Sequence, residues 1–218
     1  MIEFLLSNLD HMAPIIALGI FAIAIIAERL KALYLVYPIS SQAFFERIKS
    51  LVLSDNISDA VAVCERYYKK PVAQVVKEGL IRAHQPHEII EHGLVSAAGD
   101  ASDRVKARTG YLSMIANVST LLGLIGTILG LIQSFEAVGS ANAAQRSALL
   151  AQGISVAMNH TLWGLSVAVP CMVFYSFLMN RSNRIKSELD RAIVKTMDII
   201  KQRDVISSSD SHNFRRAA

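Results

Sequence analysis

Residues 121 to 130 read LLGLIGTILG, apolar enough for lipid yet interrupted by Gly123, Gly126, Thr127 and Gly130. A segment selected only to cross a bilayer would use leucine throughout, because glycine weakens a helix interior. Such a pattern in an apolar run points to another backbone packed close by. The run itself extends from about Leu112 to Val138, and a second runs from about Gly153 to Asn180. At ~1.5 Å per residue each exceeds the ~30 Å of a hydrocarbon core. A third run, MAPIIALGIFAIAIIA, has only roughly 16 fully apolar residues against the ~20 a spanning helix uses. Leu30, Leu33, Leu35 and Val36 complete it to about Tyr37 if Arg29 and Lys31 snorkel to the interface.

Composition agrees with membrane insertion. The chain is 52% hydrophobic and 18% charged, with a mean hydropathy of +0.37, unlike an ordinary soluble domain. Residues 1 to 11 carry Glu3 and Asp10 and no Lys or Arg, so the positive flank of a cleavable signal is missing and the first run reads as a retained anchor. Cys64 and Cys171, one in a polar and one in an apolar segment, imply no disulfide framework.

Charge distribution then sets topology. Of the 22 basic residues, all but Arg146 lie in 28–110 or after span three. With three spans those two segments share a side. The positive-inside rule places them in the cytoplasm and the N-terminus outside. The net charge of +4 is thereby explained without a nucleic-acid partner, and no zinc or helix-turn-helix pattern occurs. The fold class expected is an all-α membrane protein with three transmembrane helices, spans two and three extending into a helical cytoplasmic domain. Its parts are an N-terminal segment with transmembrane helix 1 (1–37), a cytoplasmic helical insert (38–110), transmembrane helix 2 (111–138), a periplasmic loop (139–152), transmembrane helix 3 (153–180) and a C-terminal helix with a disordered tail (181–218). Within the insert, Ser54 or Asp55 is a plausible cap for the helix of SDNISDAVAVCERYYKKP, and Pro71 marks its end. The stretch from about His87 has nothing to stop it running into span two as one helix. After span three, Ile185, Leu189, Ile193 and Met197 at spacing 4 make an amphipathic face that needs a partner.

On a helical wheel Thr120, Thr127 and Ser134 recur every seven residues with a drift of about 20° per step. Asn117 falls on the same side. Gly126 and Gly130 form a small-xxx-small pair that admits a neighbouring backbone. Span three carries Ser155, Asn159, His160, Thr161 and Ser166 in its first half, a small-residue face of Thr161, Gly164 and Ala168, and Pro170, which removes a helix hydrogen bond. Membrane threonines often bond back to their own i−4 carbonyl, so any one of them is as readily a packing residue as a functional one. The whole stripe is harder to assign to packing, because polar groups at this depth usually face a bundle interior or a water path. Trp163 sits too deep for an interface anchor and reads as packing. Glu28 and Arg29 read as an interfacial pair at the membrane boundary.

LLGLIGTILGLIQSF followed by GIS.A...T..GL.VAVP resembles the ExbB/TolQ/MotA family of ion-channel subunits, in its three-span ExbB/TolQ branch. The resemblance covers effectively the whole chain. It implies a homopentamer in the bacterial inner membrane around two copies of a single-span ExbD/TolR-type partner, with a TonB/TolA-like third subunit as a further partner. Ion motive force would move that partner and deliver work to the periplasm or outer membrane. The family's two pore threonines fall on Thr127 and Thr161. Asn117, Thr120, Ser134, Asn159 and His160 are further ion-pathway candidates, with Gly123, Gly126, Gly130, Gly164 and Pro170 as packing positions. No cofactor or metal is implied, only transported H⁺ or Na⁺. The family's usual glutamate, five residues before the span-three threonine, is Val156 here, and Glu28 and Glu136 sit near span ends. That departure leaves proton against sodium open, since hydroxyl and carbonyl oxygens suit a hard cation. His160, one turn after Val156 and about 40° around the wheel, is a candidate replacement; an unperturbed histidine titrates near ~6.5. The alternative for it is a hydrogen-bonded packing histidine.

The competing function is a membrane scaffold that assembles the partner without ion flow, which the missing glutamate permits and the two threonines oppose. A secondary transporter would show an inverted repeat or a broken helix pair, and neither is present. No Ser-His-Asp or metal-ligand spacing supports an enzyme.

Overall fold

The structure, a computed structural model, describes residues 9–39 and 41–217, and side chains over 13–39 and 42–206. Among the described residues there are helices and turns and no strand. In chain order they are α1 (Leu9–Lys31) continuing into a π-helical turn (Ala32–Val36), α2 (Ser41–Leu53), α3 (Ile57–Arg66), α4 (Pro71–Ile81), α5 (His87–Lys106), α6 (Gly110–Ser140) and α7 (Ala143–Ala217). Three stretches, Ala13–Val36, His87–Ser140 and Ala143–Ile206, contain windows long and apolar enough to cross a membrane. The chain forms two units: Met1–Arg29 with Arg108–Leu178, and Leu30–Ala107 with Met179–Ala218.

The first unit holds the apolar helices. On α1 the buried positions are Ile15, Ala22, Ile25 and Arg29, one face of the helix. Gly19 faces α7, where a Cβ would stand 3.4 Å from a Val167 methyl, an ordinary van der Waals contact. Trp163 and Val167 complete an apolar crevice of about 250 Å³ with Ile15, Ile16, Gly19, Ile20 and Ile23, so Trp163 packs against α1. Arg29, at the end of this face, packs against protein rather than standing exposed. It is buried, and Nε and Nη1 have no hydrogen-bond partner among the described residues. Its neighbour Glu28 accepts from Arg108 Nη1 at 2.7 and 2.9 Å on its two oxygens, and Arg29 Nη2 stands 3.7 Å from the same carboxylate.

That same ion pair accompanies a break the sequence does not announce. The expected single helix from His87 through span two ends at Lys106 and restarts at Gly110. Arg108 lies in the left-handed region with φ 62°, a conformation costing a non-glycine residue about 1–2 kcal/mol. Its Nη1 donates to both carboxylate oxygens of Glu28, 80 positions away in sequence. At the other end of α6 the expected 139–152 loop shrinks to Ala141 and Asn142, because α7 begins at Ala143. The run AAQRSALLAQ is made almost wholly of strong helix formers, and Arg146 Nε donates to the Ala141 carbonyl at 3.1 Å across the turn. α7 passes through Pro170 without ending and runs to Ala217, through the serine-rich tail expected to be disordered. No glycine or proline follows Pro170 to stop it.

The second unit is a water-type helical core. Phe44, Phe45, Ile48 and Val52 of α2, Ala60 and Cys64 of α3, Val72, Ala73, Val75, Val76 and Leu80 of α4, and Ile90, Leu94 and Ala98 of α5 pack with Leu189, Ala192, Met197 and Ile200 of α7. This is the partner for the amphipathic face of the C-terminal helix: Ile185, Leu189 and Met197 are buried, and Ile193 packs at the edge. A fully buried Leu or Ile contributes about 1.5–3 kcal/mol. The capping expectation at 54–55 is corrected. Asp55, with φ 58°, ends α2 in a Schellman arrangement, its N–H donating to Val52 at 3.1 Å and that of Asn56 to Leu51 at 3.0 Å. Asn56 is the N-cap of α3. Pro71 opens α4 rather than closing α3, the first-turn position where its missing N–H costs nothing.

Cys64 sits in this core, and burial pushes its thiol from the ordinary 9.0 up to about 12. A neutral thiol favoured by folding keeps its full contribution below the unfolded value. Stability is then lost as pH rises from about 9 toward 12. Native protein incubated with iodoacetamide near pH 9 should leave Cys64 unmodified while the denatured chain is alkylated. Equal labelling of both, read by peptide mass, would contradict the buried placement.

Candidate functional site

The glycines of span two form a buried stripe. On α6 the buried positions are Leu112, Ile115, Ala116, Ser119, Gly123, Gly126, Gly130 and Ser134, and from Ala116 on they follow steps of three or four that keep one helix face. Against it lie Ala157, His160, Gly164 and Ala168 of α7, also buried. The pairs descend along α7 as they ascend along α6, so the helices are antiparallel. A Cβ on Gly123 would stand 3.2 Å from the Thr161 Cα and 3.3 Å from that of Gly164. On Gly126 it would be 2.6 Å from the His160 Cβ, and on Gly130 3.0 Å from that of Ala157. A Cβ on Gly153 would collide with the Ser134 hydroxyl, and one on Gly164 would stand 2.6 Å from the Ser119 carbonyl. Two helices in lipid gain little from apolar burial, so van der Waals contact between backbones this close supplies the association.

The hydroxyls sit on and beside this seam. Thr161 Oγ1 donates across it to the Gly123 carbonyl at 3.3 Å. Thr127 Oγ1 donates to its own helix, to Leu124 at 2.6 Å. Thr120 and Ser134 do the same, to Ala116 at 3.0 Å and Gly130 at 2.6 Å. Each hydroxyl oxygen keeps lone pairs for water or a cation. Thr127, Asn159 and Thr161 are half-buried, and Asn117 and Thr120 are exposed. The expected stripe therefore divides. Ser134 is buried against Gly153 in the packing face, because the drift per seven residues turns it inward from Thr120 and Thr127.

His160 fills the room Gly126 leaves. It is 5% exposed, and its Nδ1 stands 3.0 Å from the Val156 carbonyl, in the position of a donor to that oxygen. Pro170 is exposed and takes no part in the seam. Ser119, which sequence reasoning passed over, belongs to it: its hydroxyl is fully buried without a partner among the described residues. The signal was the spacing 119, 123, 126, 130 of small residues. No group of three or more metal-ligating side chains occurs among the described residues. The seam thus offers hydroxyl and carbonyl oxygens and one imidazole, with no carboxylate, in an otherwise apolar surround.

The model of the MotA/TolQ/ExbB proton channel family matches residues 65–191. The chain is 27% identical over 184 residues to an ExbB homologue named as a biopolymer transport protein in Methanothermobacter thermautotrophicus, covering 84% of this chain and 63% of that protein. It is 37% identical over 82 residues to the biopolymer transport protein exbB1 of Vibrio cholerae, covering 38% and 36%. It is 32% identical over 105 residues to the Tol-Pal system protein TolQ of Haemophilus influenzae, covering 46% of each. The matches thus span from about a third to under two thirds of these relatives' length.

Gly164→Ala should cost about 1–3 kcal/mol through overpacking against the Ser119 backbone, whereas Gly139→Ala, with nothing within 4 Å, should be neutral or slightly stabilising. Thermal unfolding in detergent compares them directly, and equal melting temperatures would refute the close seam.

Proposed function

The chain belongs to the MotA/TolQ/ExbB proton channel family, and from that premise we propose that it is the channel-forming subunit of an energy-transducing complex of the inner membrane. Five copies surround the single membrane helices of two ExbD/TolR-type partner chains, with the N-terminus periplasmic and the polar unit cytoplasmic. A TonB/TolA-like third subunit receives the work. Ion flow between this subunit and the partner drives the partner's movement. The observation that carries the reading is the pair Thr127 and Thr161, hydroxyls held half-buried on a glycine seam where a purely structural interface could use alanine.

The mechanism follows from what this chain does and does not supply. An ion entering the apolar span must exchange water for other oxygens. Thr127 and Thr161 provide them, each oriented by the backbone carbonyl to which it donates. Asn117, Thr120 and Asn159 extend the polar lining; Ser134 supports the seam. The spans hold no carboxylate at their centre, Val156 standing at the usual glutamate position. Charge compensation then rests on the partner's helix carboxylate. His160, one turn from Val156, is this chain's candidate replacement for that glutamate, its Nδ1 3.0 Å from the Val156 carbonyl. The carried ion is H⁺ or Na⁺, and no cofactor is needed. The second reading, a non-conducting scaffold, is favoured by Val156 alone.

In liposomes holding the complex with its partner, an imposed pH gradient, with and without sodium, discriminates these readings. Thr127→Val/Thr161→Val should lower ion flux about tenfold or more, the size expected from losing stabilisation of about 1.4 kcal/mol at the barrier. Sodium flux alone, lost in the same variant, would change the fuel and keep the motor. Absence of both fluxes in the assembled wild type would support the scaffold. Separately, His160→Gln should reduce proton flux and change its pH dependence. An unchanged profile in both His160→Gln and His160→Ala would reduce His160 to packing.

A further inference from the structure

The sequence CERYYKKP, residues 64 to 71, leaves five consecutive side chains, Arg66 to Lys70, exposed or half-buried. They are two tyrosines and three cations. In an ordinary aqueous turn such aromatics are a poor choice: Tyr68 is 64% exposed and Tyr67 41%. Tyrosine is favoured where one end of the ring meets an apolar layer and the other meets water, as at a membrane surface.

The position of the turn agrees. Lys70 Nζ donates to the Pro38 carbonyl at 2.6 Å, and Pro38 follows the apolar span Ala13–Val36 by two residues. The turn is therefore tied within one hydrogen bond of the point where the first span leaves the bilayer. The same end of that span shows the chemistry of a polar boundary. Arg181 lies over the Tyr34 ring at 5.3 Å, and its Nε donates to the Leu33 carbonyl at 3.4 Å.

A cleft of about 330 Å³ opens beside the turn, lined by Ile39, Ala43, Phe44, Arg47, Val63, Tyr67 and Lys70. Its walls are apolar and aromatic, and its charged groups are Arg47 and Lys70, both positive. Lys70 stands over the Tyr67 ring and Lys69 over that of Tyr68, at 5.3 and 5.5 Å, so the cations are directed by the aromatics. An ammonium has three donors; Pro38 uses one of Lys70's. The nearest acid on α3, Glu65, is engaged by Lys77 at 2.9 Å.

We propose that this turn and cleft bind the phosphate of an anionic phospholipid in the leaflet at the Tyr37 end of the first span, with Arg47, Lys69 and Lys70 as its cations and Tyr67 and Tyr68 at headgroup depth. The occupant is a lipid rather than a soluble phosphate because the apolar cleft walls and exposed tyrosines match glycerol and acyl surface beside the charge. Docking there fixes α3 and the start of α4 to the membrane surface. The inference requires only that Ala13–Val36 spans a bilayer, not that the protein conducts ions.

Hydrogen exchange of the segment 64–74 in nanodiscs tests it. Three conditions are compared: phosphatidylcholine alone, phosphatidylcholine with phosphatidylglycerol, and phosphatidylcholine with inorganic phosphate in solution. Exchange should slow in the phosphatidylglycerol discs alone, by about fivefold for each engaged cation. Arg47→Gln/Lys69→Gln/Lys70→Gln should abolish the slowing. The single exposed change Lys69→Glu, which touches no core residue, should weaken it. Equal exchange in all three conditions would overturn the proposal, as would slowing that persists in the triple variant. Slowing by inorganic phosphate to the same extent would overturn the assignment to lipid.

Discussion

The approach of α6 to α7 is the contact from which the membrane unit is built. Apolar side chains gain nothing by leaving lipid for each other, so the helices are held by close van der Waals contact and by groups that hydrogen-bond across them. Gly123, Gly126, Gly130 and Gly164 remove the side chains that would keep the backbones apart, and the Thr161 hydroxyl reaches the Gly123 carbonyl in the space thus gained. The other seam features follow. His160 occupies the hollow over Gly126, Ser134 meets Gly153, and Thr127 is left at the edge of the contact rather than within it. The glycines of LLGLIGTILG are therefore a packing device that also places polar atoms at a depth where they would otherwise be costly.

The other unit obeys a different rule. Its helices are short and amphipathic, and they associate because water expels their apolar faces. Gly79 serves there too, but its neighbours are the side chains of Leu94 and Thr196 rather than bare backbone. α7 contributes Ala157 to Ala168 to one unit and Leu189 to Ile200 to the other. One helix thus carries two kinds of interface, and its sequence changes accordingly, from small residues on the contact face to large aliphatic ones.

Ser119 and Arg29 show where single residues mislead. Both are polar and lie in or beside apolar runs, and both are buried with atoms lacking a partner among the described residues. Composition alone would put Arg29 in the headgroups. It is buried instead, beside a Glu28 whose carboxylate also accepts from Arg108, 80 residues away.

Much of this protein is readable from the periodicity of its sequence. Three apolar runs, the glycine face of span two, the small-residue face of span three and the amphipathic C-terminal helix all follow from side-chain spacing, which depends on helix geometry alone. The family resemblance rested on those same residues. Chain breaks were less legible. The restart at Gly110 and the end of α2 at Asp55 both use a non-glycine residue in the left-handed region, which no local composition signals. The loop expected at 139–152 became mostly helix because its residues favour helix and the turn needs only Ala141 and Asn142. Spacing along the chain is a local property and can be read locally. Which hydroxyl faces the seam, which arginine is buried and where a helix breaks depend on contacts between distant segments, and these exist only once the helices have packed.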